Sequence, residues 1–298
     1  MRPGPAVSVI ITPGMVAQVV VSGLLAGALY ALVALGLALI FGVMRVINVA
    51  HGTLLTVGAY TTFWWFNLLG LNPYLSLAVS MPLMFLLGIL LQRAMVSRVV
   101  GAPELSSLIL TFGISIALVN LLQLAFTSDL RSVEFLTGAW MVGGFAFSKS
   151  RVVAFAFVVG ITALAYWFLQ QTRLGKAIRA TSQSPQVAMV CGVNVARVHM
   201  LTFGIAAALA AAGGSLVAVM VAIQPEMGQV YTFKSFLVIV LGGAGNYPGA
   251  LVGGLLLGLI EQLTSLFLTT QLSEAVAYVL LVLVLLVRPQ GLLGGRAT

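Results

Sequence analysis

Side chains that could carry out catalysis or bind a metal ion are scarce in this sequence. It contains two histidines, His51 and His199, one aspartate and one cysteine, Cys191. A serine, histidine and aspartate set is not visible, and neither is the H-E-x-x-H pattern of zinc enzymes. The phosphate-binding pattern G-x-x-x-x-G-K-[ST] is absent too, because the only Gly-Lys pair is followed by alanine. We therefore expect no enzyme, no metal or cofactor site, and no ATP hydrolysis of the P-loop kind by this chain itself.

The longest polar interval in the second half of the sequence, residues 171–199, has basic residues and no acidic one. The basic residues are Arg173, Lys176, Arg179 and Arg197. Ser184 is a good N-cap, Pro185 suits the first helical position and Gly192 suits the position after the C-cap, which predicts a helix over residues 185–191. Its apolar stripe is expected to comprise Val187, Ala188 and Cys191. Such a helix could dock a cytosolic protein; alternatively, the interval is a solvated loop whose charges only orient the chain.

A second group of polar residues interrupts an apolar stretch near the front of the chain. Residues 44–58 contain Arg45, Asn48, His51 and Gly52 between long apolar blocks. Histidine and asparagine within a membrane span are costly unless they face protein or water. One interpretation is a broken helix that lines a pathway. The other is that Asn48 and His51 cap the helix and bond to backbone at the membrane surface, and the sequence supports both equally.

A comparable interruption occurs in the back half, over residues 235–249. An apolar piece, residues 235–241, is too short to cross a bilayer alone. It runs into a sequence rich in glycine and containing proline: Gly242, Gly243, Gly245, Pro248 and Gly249. Two interrupted segments, one in each half of the chain, indicate a central pathway.

The composition defines the class of protein. With 61% hydrophobic and only 7% charged residues, the chain is predicted to be an all-α polytopic membrane protein. About eight transmembrane helices are expected, in a single domain of residues 1–298, with one to spare if a broken segment is re-entrant. The net charge of +8 mostly marks cytoplasmic loops, which places residues 171–199 and the C-terminus on that side. The small residues 206–214 should pack against a neighbouring helix almost backbone to backbone.

Carboxylates inside the predicted spans are rare. Glu261 is the one that falls clearly within a span, and Lys234 is assigned to a polar break over residues 224–234. Because a series of proton-relaying acids is missing, a proton-coupled carrier is disfavoured. A stand-alone carrier or channel remains the rival interpretation, and nucleic-acid binding is not expected because the basic residues are scattered between spans.

Four stretches of the sequence carry a resemblance to a known family. They are GVMRVINVAHG at 42–52 with GAY at 58–60, TFG at 111–113, RLGKAIRA at 173–180 with GVN at 192–194, and GGAG at 242–245 with PGA at 248–250. On these stretches, and over nearly its whole length, the chain resembles the permease subunits of ABC importers for branched-chain amino acids. It is most similar to the shorter of the two permeases of the Liv type.

The resemblance implies the fold of an ABC importer permease and a transport function in the bacterial inner membrane. The solute would be a branched-chain amino acid or a related amide or urea. The implied partners are a second permease subunit, two cytosolic ATPases and a periplasmic solute-binding protein, within membrane lipid.

The resemblance also assigns roles to residues. Docking of the ATPases, by a short coupling helix over residues 184–192, would involve Arg173, Gly175, Lys176, Arg179, Ser184, Pro185, Ala188 and Gly192. The translocation pathway is expected near Asn48, His51, Gly52, Gly242 and Gly243.

Overall fold

Helices make up most of the computed structural model, which describes residues 13–142, 145–243, 245–288 and 291–292. The helices are α1 (Pro13–Met44), α2 (His51–Leu69), α3 (Leu77–Ala94), α4 (Glu104–Phe126), α5 (Lys149–Gln171), α6 (Arg173–Gln183), α7 (Pro185–Val190), α8 (Val195–Ala218), α9 (Gly228–Gly242), α10 (Tyr247–Thr264) and α11 (Thr270–Val287). Short 3-10 helices flank α3, at Pro73–Ser76 and Val96–Arg98. The predicted helical membrane protein is confirmed.

The loop expected between α4 and α5 contains an antiparallel hairpin. Its strands are β1 (Ala139–Val142) and β2 (Phe145–Ser148), with Trp140 opposite Phe147. Aromatic residues of this kind favour paired strands. Next to the hairpin, the backbone of Arg131 pairs with that of Ile223, so this region closes one end of the bundle.

Among the described residues, five helices are long and apolar enough to cross a membrane: α1, α3 with its flanking 3-10 turns, α4, α5 and α8. The axes of α9 and α10 are inclined at 117°, and this pair could form a sixth crossing. The helix α2 and the shorter apolar helix α11 are not in this group. The expected total of about eight spans requires both of them to cross, and it stays a prediction.

Helices α1 and α8 form the centre of the bundle. In their most apolar stretches 78% and 83% of the residues are buried, against 22% in α4 and in α5, which therefore lie at the periphery. Close backbone approach makes this burial possible: a Cβ atom at Gly27 would lie 2.8 Å from the carbonyl oxygen of Gly254. A methyl group at Gly214 would overlap the carbonyl oxygen of Leu55. The backbone-to-backbone packing predicted for residues 206–214 is thus confirmed.

The two ends of the bundle differ in charge. At one end the loop after α1, the loop before α4 and the junction of α6 with α7 line a common cavity of about 640 Å³. Arg45, Arg98, Arg173 and Lys176 belong to the loops and helix ends gathered there. From the positive-inside rule we expect this end to face the cytoplasm and the end with the hairpin to face the outside, and this orientation stays a prediction.

Candidate functional site

The first predicted interruption is a stretch of non-helical backbone between α1 and α2. Residues 45–50 turn back from the end of α1 and bring His51 beside Val33, with 2.9 Å between His51 Nε2 and the Val33 carbonyl oxygen. Val33 lies eleven residues before Met44, which at 1.5 Å per residue is about 16 Å from the C-terminal end of α1. The start of α2 is therefore near the middle of a bilayer about 30 Å thick.

Hydroxyl groups from α4 satisfy the backbone of this stretch. The Ile47 N–H donates to Ser107 Oγ at 3.1 Å, and the Val49 N–H donates to Thr111 Oγ1 at 3.1 Å. The Thr111 hydroxyl in turn lies 2.8 Å from the Ile47 carbonyl oxygen. Non-helical backbone at membrane depth is tolerated only when other protein groups replace its hydrogen bonds, and α4 supplies that replacement.

A threonine of α9 completes the support from the other side. Thr232 Oγ1 accepts a hydrogen bond from the Gly52 N–H at 2.9 Å. The same oxygen lies 3.3 Å from the Val49 carbonyl and 3.1 Å from the Gly228 carbonyl, and its one proton can serve either. A methyl group at Gly52 would overlap the Gly228 carbonyl oxygen. The absence of a side chain therefore lets α2 and α9 cross with their backbones in contact.

Asn48 and His51 are fully buried, each with 0% of its surface exposed. His51 bonds to α1, and because a carbonyl can only accept, its Nε2 carries the proton. The side-chain amide of Asn48 has no hydrogen-bond partner among the described residues. The helix α2 is capped by Ala50 without a side-chain hydrogen bond. The backbone is thus non-helical at the predicted interruption, and His51 bonds to backbone as one interpretation expected, whereas capping of α2 by the Asn48 and His51 side chains is not observed. Lining of a pathway by this segment stays a prediction.

The second predicted interruption joins α9 to α10. Gly243, with φ +94°, ends α9, and the Asn246 side chain caps α10 by accepting from the Gly249 N–H at 3.1 Å. A methyl group at Gly242 would overlap the Gly249 carbonyl, so Gly242 is a packing position. The break is where the sequence placed it, but α9 begins at Gly228 and not after a polar segment ending at residue 234.

A buried charge cluster, unforeseen from the sequence, ties α9 to three other helices. Lys234 Nζ lies 3.0 Å from Glu261 of α10, 3.2 Å from Glu274 of α11 and 3.1 Å from the Tyr30 hydroxyl of α1. The Tyr30 hydroxyl donates to the same Glu261 oxygen at 2.9 Å. The Lys234 and Glu261 side chains are each only 9% exposed. The sequence feature that could have predicted this cluster is the isolated Glu261, because a carboxylate inside a span needs a partner.

The helix predicted in the basic interval is α7, and its caps match the prediction. The Val187 N–H donates to Ser184 Oγ at 3.4 Å, and Pro185 occupies the first turn. Gly192 has φ +83° and donates to the Met189 carbonyl at 2.9 Å, while the Val193 N–H donates to the Ala188 carbonyl at 3.0 Å. These two bonds form a Schellman motif. Such closure at both ends makes a six-residue helix a rigid unit.

The apolar stripe predicted for α7 is only partly correct. Ala188 is buried, whereas Val187 is 62% exposed and Cys191 is also exposed. Met189 and Val190 are 54% and 89% exposed, so α7 turns most of its apolar surface away from the chain. The reason is that α7 contacts α6 and α8 on one narrow side.

The basic residues before α7 belong to a helix, α6, where the sequence suggested a loop. Thr172 caps α6 by accepting from the Gly175 N–H at 3.0 Å, and a side chain at Gly175 would overlap the Leu169 carbonyl of α5. The guanidinium group of Arg179 donates to the Gln170 carbonyl at 3.3 Å. The remaining basic side chains of α6, Arg173 and Lys176, are exposed.

The structure brings the predicted docking residues together and places the second break close to them, since Gly42, which packs against Gly245, lines the same cavity as Ser184 and Pro185. The first set lies on α6 and α7 and in the turn that follows α7. Asn48, His51, Gly52, Gly242 and Gly243 are buried within the chain at the two breaks. Of the hydroxyl side chains that support the first break, Ser107 and Thr232 were not singled out from the sequence, and Thr111 was noted only as part of the TFG stretch.

Comparison with known proteins points to one family. The family described as "Branched-chain amino acid transport system / permease component" matches residues 19–285. The chain is 34% identical over 292 residues to the high-affinity branched-chain amino acid transport system permease protein LivH of Escherichia coli, covering 93% of this chain and 95% of the relative. Permease protein BraD of the corresponding system in Pseudomonas aeruginosa is also 34% identical, with the same coverage. A probable LivH of Methanocaldococcus jannaschii is 26% identical over 89% of each chain. No solved structure matches the chain.

Proposed function

The chain belongs to the family of permease components of branched-chain amino acid transport systems, and we propose on this basis that it is the passive membrane gate of an ATP-driven importer. Its solute would be a branched-chain amino acid and its location the inner membrane of a bacterium. The observation that carries the proposal is α7, a rigid helix with exposed apolar side chains at the basic end of a membrane bundle. The sequence contains no P-loop motif for ATP binding, so a separate subunit would hydrolyse the ATP that drives transport.

The proposed partners follow from this division of labour. Two cytosolic ATPases would dock on the cytoplasmic end, a second permease would complete the pathway, and a periplasmic binding protein would deliver the solute. On this chain the ATPase would contact the exposed apolar side chains of α7, which are Val187, Met189 and Val190. Arg173 and Lys176 would lie beside that contact and attract acidic groups of the ATPase.

Movement of α7 would reach the first break through α8. The turn after α7 leads directly into α8, whose start is capped by Asn194 through a bond to the Arg197 N–H at 3.0 Å. Further along, α8 packs on α2, where the Cβ atom of a residue at Gly58 would lie 2.5 Å from Ala211 Cα. Since these helices touch through backbone, a displacement of α8 must shift α2 and the break before it.

The first break would border the pathway at membrane depth, whereas the second lies near the C-terminal end of α1, because Gly245 is packed against Gly42. Because Asn48, His51, Gly52, Gly242 and Gly243 are buried, we assign them the task of shaping and hinging the pathway wall. His51 would hold the start of α2 against α1. The contacts of Gly52 with Gly228 and of Gly242 with Gly249 would allow one helix backbone to slide on the other. High-affinity recognition of the solute would reside on the binding protein.

The direct test is uptake of a radiolabelled branched-chain amino acid into membrane vesicles that contain the complete transporter. We expect uptake with ATP in the compartment that holds the ATPases and none without it. Accumulation against a gradient by this chain reconstituted alone would contradict the proposal and favour the rival stand-alone carrier.

Substitution of Val190 with aspartate should uncouple transport from ATP hydrolysis. A carboxylate at the proposed apolar contact would be desolvated without a partner, at a cost of about 2 kcal/mol or more, which corresponds to a loss of about thirtyfold or more in uptake. Because Val190 is 89% exposed, the variant should fold and insert normally. The measurement is ATPase activity and uptake in the same vesicles.

The matched control is Ser97→Asp, which adds a carboxylate at an exposed position of the cytoplasmic end outside α6 and α7. It should leave both activities unchanged. Gly192→Pro should uncouple in the same way as Val190→Asp, because proline cannot adopt φ +83° and the Schellman motif would be lost. Normal transport by both α7 variants would show that α7 is not the docking element.

A further inference from the structure

A polar groove opens on the membrane-depth surface of the chain between α2, α4 and the start of α9. It has a volume of about 320 Å³, with Thr53 and Ser115 at its floor and Asn120, Glu226 and Gln229 around its polar side. The two floor hydroxyls are bonded to each other at 2.7 Å. Its other side is apolar and includes Phe112. Thr53 falls within the first predicted interruption, residues 44–58, and the other residues of the groove were assigned neither to the docking region nor to the breaks.

The position of the groove connects the outside with the first break. Glu226 lies three residues after Ile223, which pairs with Arg131 near the hairpin at the outer end. Thr53 lies in the first turn of α2, directly after the break. Asn120 is sixteen residues into α4, or about 24 Å from its cytoplasmic start. The groove thus runs from the outer end of the bundle to its middle.

The polar side chains of this groove would be unfavourable in contact with lipid. Asn120, Glu226 and Gln229 are exposed, although α4 otherwise presents residues such as Leu121 and Leu124, which are 60% and 84% exposed. Asn120 bonds only to its own helix, with its amide nitrogen 2.8 Å from the Ile116 carbonyl oxygen. Polar and ionised side chains at membrane depth face protein or water. This strip of α4 therefore faces an aqueous space or a second subunit, while its leucine strip can face lipid.

Glu226 gives the groove a chemical preference. Its carboxylate accepts a hydrogen bond from Gln123 Nε2 at 3.0 Å. The ion pairs found among the described residues join Lys234 to Glu261 and Glu274, so Glu226 is left without a cationic partner in this part of the chain. An exposed carboxylate beside an apolar wall suits a ligand with a cationic group and an aliphatic body.

We propose that this groove is the solute-contacting wall of the pathway, and that Glu226 binds the ammonium group of an α-amino acid while Phe112 and its apolar neighbours receive the aliphatic side chain. The proposal rests on the importer function given above. It moves solute contact from the buried glycines and His51 to the exposed groove. The buried residues then support this wall from inside the chain. The hydroxyls of Thr53 and Ser115 lie between the groove and the first break.

Thiol labelling tests the location without requiring transport. In a Cys191→Ser background, Asn120→Cys and Gln229→Cys are expressed with the complete transporter and exposed to a membrane-impermeant thiol reagent from the outside. Leu121→Cys is the matched control, since it is the next residue of α4 and exposed but does not line the groove. Both groove positions should react and the control should not. Equal labelling of all three, or labelling of none, would overturn the proposal.

Transport kinetics test the role of Glu226. Glu226→Gln should raise the KM for amino-acid uptake about tenfold, the size expected for loss of one charge-assisted hydrogen bond. Glu134→Gln, which removes an exposed carboxylate of the outer loop, should leave the KM unchanged. An unchanged KM in Glu226→Gln would overturn the assignment of this carboxylate. Absence of ATP-dependent uptake by the unaltered protein would instead count against the importer function, which keeps the two failures distinct.

Discussion

Replacement of Lys234 with methionine is expected to lower the free energy of unfolding by about 3–5 kcal/mol, because it leaves a buried carboxylate without its cation. Glu261 is 9% exposed and shares Lys234 with Glu274 and Tyr30. Methionine has a similar length and fills the space, but it cannot donate a hydrogen bond. The loss would loosen α9 from α1, α10 and α11 together, since the Lys234 ammonium group contacts a side chain from each.

The measurement is the thermal unfolding midpoint of the purified protein in detergent. Lys176→Met is the matched control, since Lys176 is exposed on α6 and its removal should leave the midpoint unchanged. The double variant Lys234→Met with Glu261→Gln should regain much of the lost stability, because the unpaired charge is then removed. A single Lys234→Met variant as stable as the unaltered protein would show that the cluster does not hold the four helices together.

Substitution of Gly52 with alanine should lower the free energy of unfolding nearly as much as Lys234→Met does, although it adds only one methyl group. That methyl group would overlap the Gly228 carbonyl oxygen and would lie close to the Thr232 hydroxyl. The crossing of α2 and α9 would have to open, and the bond between the Gly52 N–H and Thr232 would be lost with it. We expect a cost of about 3 kcal/mol or more, at the upper end for overpacking, since both contacts are to groups that cannot move independently.

Gly160→Ala is the control for helix propensity and for expression. A Cβ atom at Gly160 of α5 meets no atom within 4 Å, so this change should be neutral or slightly stabilising. The two variants are compared by the yield of monodisperse protein in detergent and by the unfolding midpoint. Equal behaviour of Gly52→Ala and Gly160→Ala would mean that the backbone contact at the first break is not tight.

Features that depend on neighbouring residues were predicted from the sequence. Ser184, Pro185 and Gly192 determine both ends of α7, because capping bonds join groups only a few residues apart. The membrane class follows from composition, and the location of both breaks follows from polar or glycine-rich residues inside apolar blocks. The helix α6 could have been predicted in the same way, from its cap at Thr172, but its many polar residues suggested a loop.

Only the tertiary structure decided which distant groups meet. The hydroxyls of Thr111 and Thr232 lie 62 and 180 residues along the chain from the backbone N–H groups that they accept from. Lys234 and Glu261 pair across 27 residues, although one was expected in a polar break and the other alone in a span. Within one helix, side chains are direct neighbours only when they are three or four residues apart. The sequence by itself therefore determined the class, the breaks and the capped helix, whereas the partners inside the breaks and the polar groove depend on how the helices pack.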